Sequence, residues 1–180
     1  MTKKGIACIL AFLLCLLTVT ACSSNGTAPA NNENTVNNNS SKIAALNARN
    51  IQQLADENGF VYGVGIFDVF AFKFNSNGTL SGCDVSSSDL SPDYDDLADS
   101  SCSYTIWDDS NWSLSQDWGG TYTFRLEHAG TNYVIFSESS AFTVLMNKKT
   151  MQNLKEKQSD FTKAMPTELQ ALITLMDSCS

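Results

Sequence analysis

Short segments of alternating apolar and polar residues occupy the middle of the chain, and they restrict the fold to an antiparallel sheet. These segments are Ser103–Trp107, Trp112–Gln116, Thr121–Glu127, Thr131–Ser137 and Ala141–Met146. A period of two is typical of strands with one buried face. Turn-rich clusters (DDSN, DWGG, HAG and SESS) separate the segments. Connections this short join antiparallel neighbours, so the pattern predicts a meander.

A longer run with the same period precedes these segments. Its apolar positions predict one continuous face through Phe60, Tyr62, Val64, Ile66, Phe70, Phe72 and Phe74. The pair Asn77-Gly78 is a strong tight-turn signal and leads into a strand at Thr79–Cys83. The sequence therefore predicts six to eight strands.

Apolar residues with helical spacing occur both before and after the predicted strands. A helix is predicted over Lys42–Asn58, with Gly59 placed to end it in the left-handed conformation. After the strands, apolar residues mark one helical segment before Pro166 and a second one after it. We predict a mainly β (α+β) domain. Its antiparallel meander is curled or closed into a small barrel, and one N-terminal helix and one or two C-terminal helices pack on it or plug an end.

The first 22 residues have the parts of an export signal. Lys3 and Lys4 give a positive start, and the apolar run Ile6–Leu17 follows. At ~1.5 Å per residue this run spans only ~18 Å, too short for the ~30 Å core of a bilayer. The run ends in Val19-Thr20-Ala21-Cys22, which resembles the lipobox of bacterial lipoproteins.

That resemblance implies cleavage by signal peptidase II before Cys22 and acylation of Cys22, with palmitate among the expected chains. The partner would be a membrane, because two or three acyl chains anchor stably where one does not. We expect a signal peptide at 1–21, a lipidated, disordered Asn- and Ser-rich tether at 22–41 and one globular domain at 42–180. The location would be the cell envelope, on the extracytoplasmic side, and Ser23 in place of Asp is compatible with an outer membrane if the cell has two.

The net charge of the chain restricts which partners other than the membrane it can bind. The whole chain carries 11 basic and 19 acidic residues, and cleavage before Cys22 removes two of the basic ones and none of the acidic ones. The mature chain thus has a net charge near −10. Nucleic acid is excluded as a partner because phosphate binding needs a basic patch.

An acidic stretch is the most distinctive feature of the domain. Nine aspartates and no Lys or Arg lie between Phe74 and Phe124. One hypothesis is a Ca²⁺ site formed by Asp93, Asp95, Asp96 and Asp99, since hard cations take several carboxylate oxygens. The spacing is not that of an EF-hand, and the main expectation is a solvated loop without a cofactor. A further alternative is capture of a cationic protein, because acidic loops speed association.

Three cysteines remain in the mature domain besides Cys22. Cys83 and Cys102 bracket the acidic loop, and a disulfide bond between them would close it and stabilise the fold by ~3 kcal/mol. Cys179 lies on the apolar stripe of the last helix and could pair with either of them.

Motifs for common chemistry are missing from the sequence. His128 is the only histidine, and nucleophile elbows, zinc motifs and phosphate-binding loops do not occur. Trp107, Trp112 and Trp118 could form a sugar-stacking platform, but aromatics with a period of two usually fill a core. Trp118, beside two glycines, is expected to be the most exposed of the three.

The strand pattern also resembles small lipocalin-like lipoproteins, on the basis of Phe72, Phe74, Gly78, Trp112, Leu114, Gly120, Tyr122 and Phe124. Three function classes follow. The leading expectation is a non-enzymatic binding or interaction domain. The resemblance implies a carrier of a small apolar ligand, with a cavity lined by residues such as Phe70, Phe72 and Tyr122. The last alternative is a carboxylate-based hydrolase, which needs two converging acids with raised pKa values.

Overall fold

The computed structural model describes residues 44–65, 69–86, 89–92, 102–116, 120–158 and 165–180. Its strands are β1 (Val61–Val64), β2 (Val69–Phe74), β3 (Thr79–Asp84), β4 (Cys102–Ile106), β5 (Asn111–Gln116), β6 (Thr121–Ala129), β7 (Tyr133–Glu138) and β8 (Ala141–Met146). Two helices follow, α1 (Lys148–Lys157) and α2 (Leu169–Asp177). A short 3-10 helix, Ile51–Leu54, precedes β1.

The strands form a closed antiparallel barrel in their order along the chain. β8 pairs with β7 and also with β1, where Gly63 lies opposite Leu145. Closure satisfies the backbone hydrogen bonds that an edge strand would leave open. The predicted fold class is confirmed, since the structure is a mainly β domain whose meander closes into a small barrel flanked by helices.

The alternation of side chains divides the apolar residues between the inside and the outside of the barrel. Paired residues share a face, and Val64 of β1 pairs with Val69 of β2. Even-numbered positions of β1 therefore share a face with odd-numbered positions of β2. The predicted continuous face over 60–74 is wrong for this reason. Residues Phe60, Tyr62 and Val64 point outward, whereas Phe70, Phe72 and Phe74 point inward.

All eight strands contribute to the inner apolar cluster. Its strand residues include Val61, Phe70, Phe72, Phe74, Leu80, Tyr104, Ile106, Trp112, Leu114, Phe124, Leu126, Val134, Phe136 and Leu145. A cluster to which every strand contributes alternate residues is the inside of the barrel.

The two C-terminal helices pack on the outside of the barrel and do not plug it. Leu154 of α1 and Leu172 and Met176 of α2 are buried against the outward side chains of β1, β7 and β8. The side chain of Asn147 begins α1 by accepting a hydrogen bond from the Thr150 N–H. Strand β1 is thus buried on both faces, because it lies between the barrel interior and the helices.

The predicted N-terminal helix over Lys42–Asn58 is wrong within the described residues, where only the 3-10 helix forms. Polar side chains bind the backbone N–H groups that a helix would need. Asn50 accepts from the Asn47 N–H at 2.6 Å, and Asp56 accepts from the N–H groups of Asn58 and Phe60 at 2.9 Å. Gly59 does adopt the expected left-handed conformation, with φ of 84°.

This N-terminal segment closes one end of the barrel. Ala48, Ile51 and Leu54 are buried with the inner cluster. The Ala48 N–H donates to the Asp109 carbonyl at 2.8 Å, which fixes the segment to the turn between β4 and β5. None of the helices that the structure describes is long and apolar enough to cross a bilayer.

A buried tyrosine joins the barrel to the last helix. The Tyr133 hydroxyl donates to a carboxylate oxygen of Asp177 at 2.7 Å. Burial, together with the hydrogen bond to Asp177 and its negative charge, raises the pKa of Tyr133 above its ordinary value. The neutral phenol is therefore the form that the folded state favours.

Replacing Tyr133 by phenylalanine is expected to lower the free energy of unfolding by about 1–2 kcal/mol at neutral pH. Tyrosine in the unfolded chain ionises near pH ~10, whereas folded Tyr133 keeps its proton. The contribution of the hydroxyl is thus fully present below pH ~10 and is lost as the pH rises further. Urea unfolding of both proteins at rising pH measures this, and a stability difference that stays constant in alkali would contradict it.

Candidate ligand-binding site

The inside of the barrel is apolar, and solvent can reach part of it. Phe72, Trp112 and Phe136 are buried there. Other inward side chains remain half-buried, namely Phe70, Phe74, Tyr104, Ile106, Leu114, Phe124 and Leu126. A core filled only by its own side chains would bury these residues as well. Partly exposed apolar side chains inside a closed barrel are typical of a ligand-binding surface.

Aromatic rings form a continuous row along this inner surface. The ring centroids of Phe72 and Phe74 are 5.1 Å apart, and Phe74 lies 4.9 Å from Tyr104 and 6.2 Å from Trp112. Trp112 then stacks on Phe124 at 4.5 Å. These distances are those of favourable edge-to-face and stacked pairs, so the rings hold one another in place.

Gly63 makes room for the ring of Phe70, a further aromatic residue of the inner wall. Gly63 of β1 lies directly opposite Phe70 of β2, and a Cβ at this position would overlap the Phe70 ring. The Phe70 ring therefore occupies the place that a side chain at position 63 would take.

One enclosed polar atom of the interior, the indole nitrogen of Trp112, has no acceptor among the described residues. Trp112 is 4% exposed, and its indole N–H is fully enclosed without a hydrogen bond. By contrast, Trp107 lies on the outer surface and its N–H donates to the Ser113 hydroxyl at 3.1 Å. An enclosed N–H without an acceptor is costly, so the position of Trp112 calls for an explanation.

Every basic side chain on the strands lies on the outer face. Lys73 lies over the outward Phe60 ring at 4.3 Å, and Arg125 pairs with the outward Glu127. A bulge between Leu126 and His128 turns His128 outward as well, beside the ring of Tyr133. The inner wall thus carries no cation within the strands that the structure describes.

Two carboxylates occupy inward positions at the end of the barrel opposite the N-terminal segment. Asp84 lies opposite Phe70, and Glu138 lies opposite Ala141. Both are at least partly exposed. The inner wall thus has acidic side chains at this end of the barrel.

Three described carboxyl groups, those of Asp89, Asp108 and Glu127, have pKa values below their ordinary values. Hydrogen bonds from Ser91 and Ser86 lower the pKa of Asp89 to about 2. The Ser110 backbone N–H lowers the pKa of Asp108, and the Ser137 hydroxyl and Arg125 lower that of Glu127. A general acid needs the opposite shift. Within the described residues, the pKa directions give no support to the carboxylate-based hydrolase.

Several predicted site residues lie outside the described residues. These are Cys22, the candidate Ca²⁺ ligands Asp93, Asp95, Asp96 and Asp99, and Trp118. In the part of the chain that the structure does describe, no three side chains come together as metal ligands. The Ca²⁺ site and the cationic partner stay predictions. Trp107, at 60%, is the exposed tryptophan among those described.

The predicted Cys83–Cys102 disulfide is not seen in this structure. Its absence follows from the strand register, in which Cys102 pairs with Leu80 and Cys83 lies three residues further along β3. Cys83 also points outward into the cluster beneath the helices, together with Cys179, whereas Cys102 has an inward position.

Comparison of the chain with protein-family models, with curated proteins and with solved structures found no match.

Proposed function

We propose that this chain is a lipid-anchored, extracytoplasmic, non-enzymatic binding protein whose barrel holds a small apolar molecule. The observation that carries the proposal is the aromatic inner wall, which is closed at one end and still partly exposed to solvent. Covering such side chains with a ligand is favourable by about 25 cal/mol for each Å² of apolar surface. The barrel is a rigid scaffold, so little ordering energy opposes binding.

The expected anchor fits this function. An acylated Cys22 would hold the domain at the membrane, and the tether predicted over residues 23–41 would span roughly 25 Å as a coil. A barrel held at this distance could exchange apolar molecules that are poorly soluble in water. The lipobox and the preceding signal support this part of the proposal.

Titration with phenylnaphthylamine, a neutral fluorophore that brightens in apolar surroundings, tests the function on the soluble domain. We expect saturable binding with one site per chain. Leu114→Gln should weaken binding about tenfold, because an amide facing an apolar ligand costs on the order of 1–3 kcal/mol. The matched control is Thr123→Gln, which places the same amide on the exposed outer face of β6.

The control protein should bind like the wild type. If both variants lose affinity equally, or if the wild type does not saturate, the probe does not occupy the barrel and the proposal fails. Unchanged binding by Leu114→Gln would also contradict it, since the Leu114 side chain faces inward.

A further inference from the structure

We infer that the outer face of β4, β5 and β6 around Trp107 binds a neutral glycan built from six-membered sugar rings with equatorial hydroxyl groups. This surface lies outside the barrel, so the inference does not depend on the proposed apolar ligand. Trp107 is the only large apolar side chain that is exposed among the described residues, at 60%. A partner that covers the indole would gain the burial of apolar surface that folding leaves unused.

The indole of Trp107 lies along the surface of the sheet. Its N–H donates to the Ser113 hydroxyl at 3.1 Å. Ser113 is only 5% exposed, although its side chain points away from the barrel interior. The indole therefore covers Ser113 and turns one face toward the sheet and the other toward solvent.

The backbone of Trp107 is fixed on both sides of the residue. Its N–H donates to the Asn111 carbonyl at 2.9 Å, and its carbonyl accepts from the Arg49 guanidinium at 3.3 Å. Arg49 also pairs with Asp109 at 2.8 Å, which ties the turn to the N-terminal segment. A ring held by its N–H and by its backbone loses little freedom when a ligand binds.

Hydroxyl groups border the indole on the same face. Thr105, Ser113 and Thr123 lie directly opposite one another in a row across β4, β5 and β6. Thr105 and Thr123 are exposed, and two strand spacings separate them by roughly 10 Å. A sugar ring with equatorial hydroxyls has an apolar C–H face and a polar rim. Its face can stack on the indole while its hydroxyls bind those of the threonines.

The charges and the small apolar area favour a neutral glycan over other partners. The charged side chains beside this face are paired, Arg49 with Asp109 and Arg125 with Glu127, so no unpaired cation there attracts an anionic polymer. A stable protein partner would bury ~800 Å² on each side with an apolar centre. Trp107 alone provides far less apolar surface than that among the described residues.

Titration of ¹⁵N-tryptophan-labelled protein with cellohexaose, a neutral oligomer of equatorially substituted glucose rings, tests the inference by NMR. We expect a saturable shift of the Trp107 indole N–H signal and none of the signal of Trp112, whose nitrogen is enclosed. A fructan hexamer is the matched control ligand. It carries similar hydroxyl groups on five-membered rings, lacks the flat apolar face and should give no saturable shift.

Variants separate the stacking from the hydrogen bonds, with calorimetry as the measurement. Trp107→Ala should weaken the binding of cellohexaose about tenfold because it removes the ring. Thr105→Val should weaken it about threefold because it removes one hydroxyl and keeps the shape. The matched control is Thr174→Val, the same change at an exposed position of α2, and it should bind like the wild type. All three variants should bind phenylnaphthylamine unchanged, because they lie outside the barrel.

Several results would overturn the inference. These are the absence of a saturable shift of Trp107 with cellohexaose, equal binding of the fructan, and unchanged affinity of Trp107→Ala. A saturable shift confined to Trp112 would place the glycan inside the barrel and would also overturn it. Failure of phenylnaphthylamine to bind the wild type would instead contradict the proposed function and leave the glycan result to be judged on its own.

Discussion

Replacing Phe136 by alanine should lower the free energy of unfolding by about 3–5 kcal/mol. Phe136 is fully buried in the inner cluster, and its ring meets Trp112 edge to face at 6.0 Å. Truncation would leave a cavity that the surrounding strands cannot fill, because the closed barrel resists collapse. Urea unfolding of the soluble domain, monitored by circular dichroism, measures the loss.

Phe70→Ala is the matched control for this prediction. It makes the same chemical change on the same inner wall, but Phe70 is only half-buried. We expect a loss of about 1–2 kcal/mol, with a larger effect on phenylnaphthylamine affinity than on stability. Equal losses of stability in the two variants would contradict the division of the interior into a packed part and a ligand-accessible part.

The second large effect concerns the anchor. Cys22→Ala should abolish incorporation of labelled palmitate, because the thiol of Cys22 is the predicted acceptor of the diacylglycerol and the Ala variant has no thiol there. The matched control is Cys15→Ala, which removes a cysteine from the apolar part of the signal and should leave the label unchanged. Metabolic labelling and the intact mass of the purified protein measure this. Equal labelling of Cys22→Ala and the wild type would contradict the predicted anchor.

The strands could be predicted from the sequence because two signals agree. Alternation of apolar and polar residues predicts where a strand lies, and turn residues such as Asn77-Gly78 predict where it ends. The assignment of faces failed between β1 and β2, since it depends on the pairing of Val64 with Val69, and a hairpin without a strong turn signal does not reveal its register. That single register decides that Phe72 lies inside the barrel and Tyr62 outside it.

The prediction of an N-terminal helix is wrong because apolar spacing alone does not account for the local polar side chains. Ala48, Ile51 and Leu54 have helical spacing and are indeed buried. However, Asn50 and Asp56 bind nearby backbone N–H groups and favour turns. Their presence was the available signal that the helix would not extend beyond one turn.

The candidate site was only partly predictable. The alternation around Trp112 and Leu114 indicates which side chains point inward, and the carrier hypothesis named Phe70, Phe72 and Tyr122 as lining residues. The special property of Trp112 could not be predicted, because the lack of an acceptor depends on contacts between strands that are distant in sequence. Trp107 is only five residues away, and its N–H does find a partner.

Leucine methyl groups offer the most direct test of ligand binding inside the barrel. Leu114 and Leu126 face inward and are half-buried, whereas Leu154 of α1 and Leu172 of α2 are buried outside the barrel, between the helices and the strands. NMR spectra of leucine-labelled protein, recorded during titration with phenylnaphthylamine, should show saturable shifts for Leu114 and Leu126 and none for Leu154 and Leu172. Shifts confined to Leu154 and Leu172, or none that saturate, would contradict a ligand site inside the barrel.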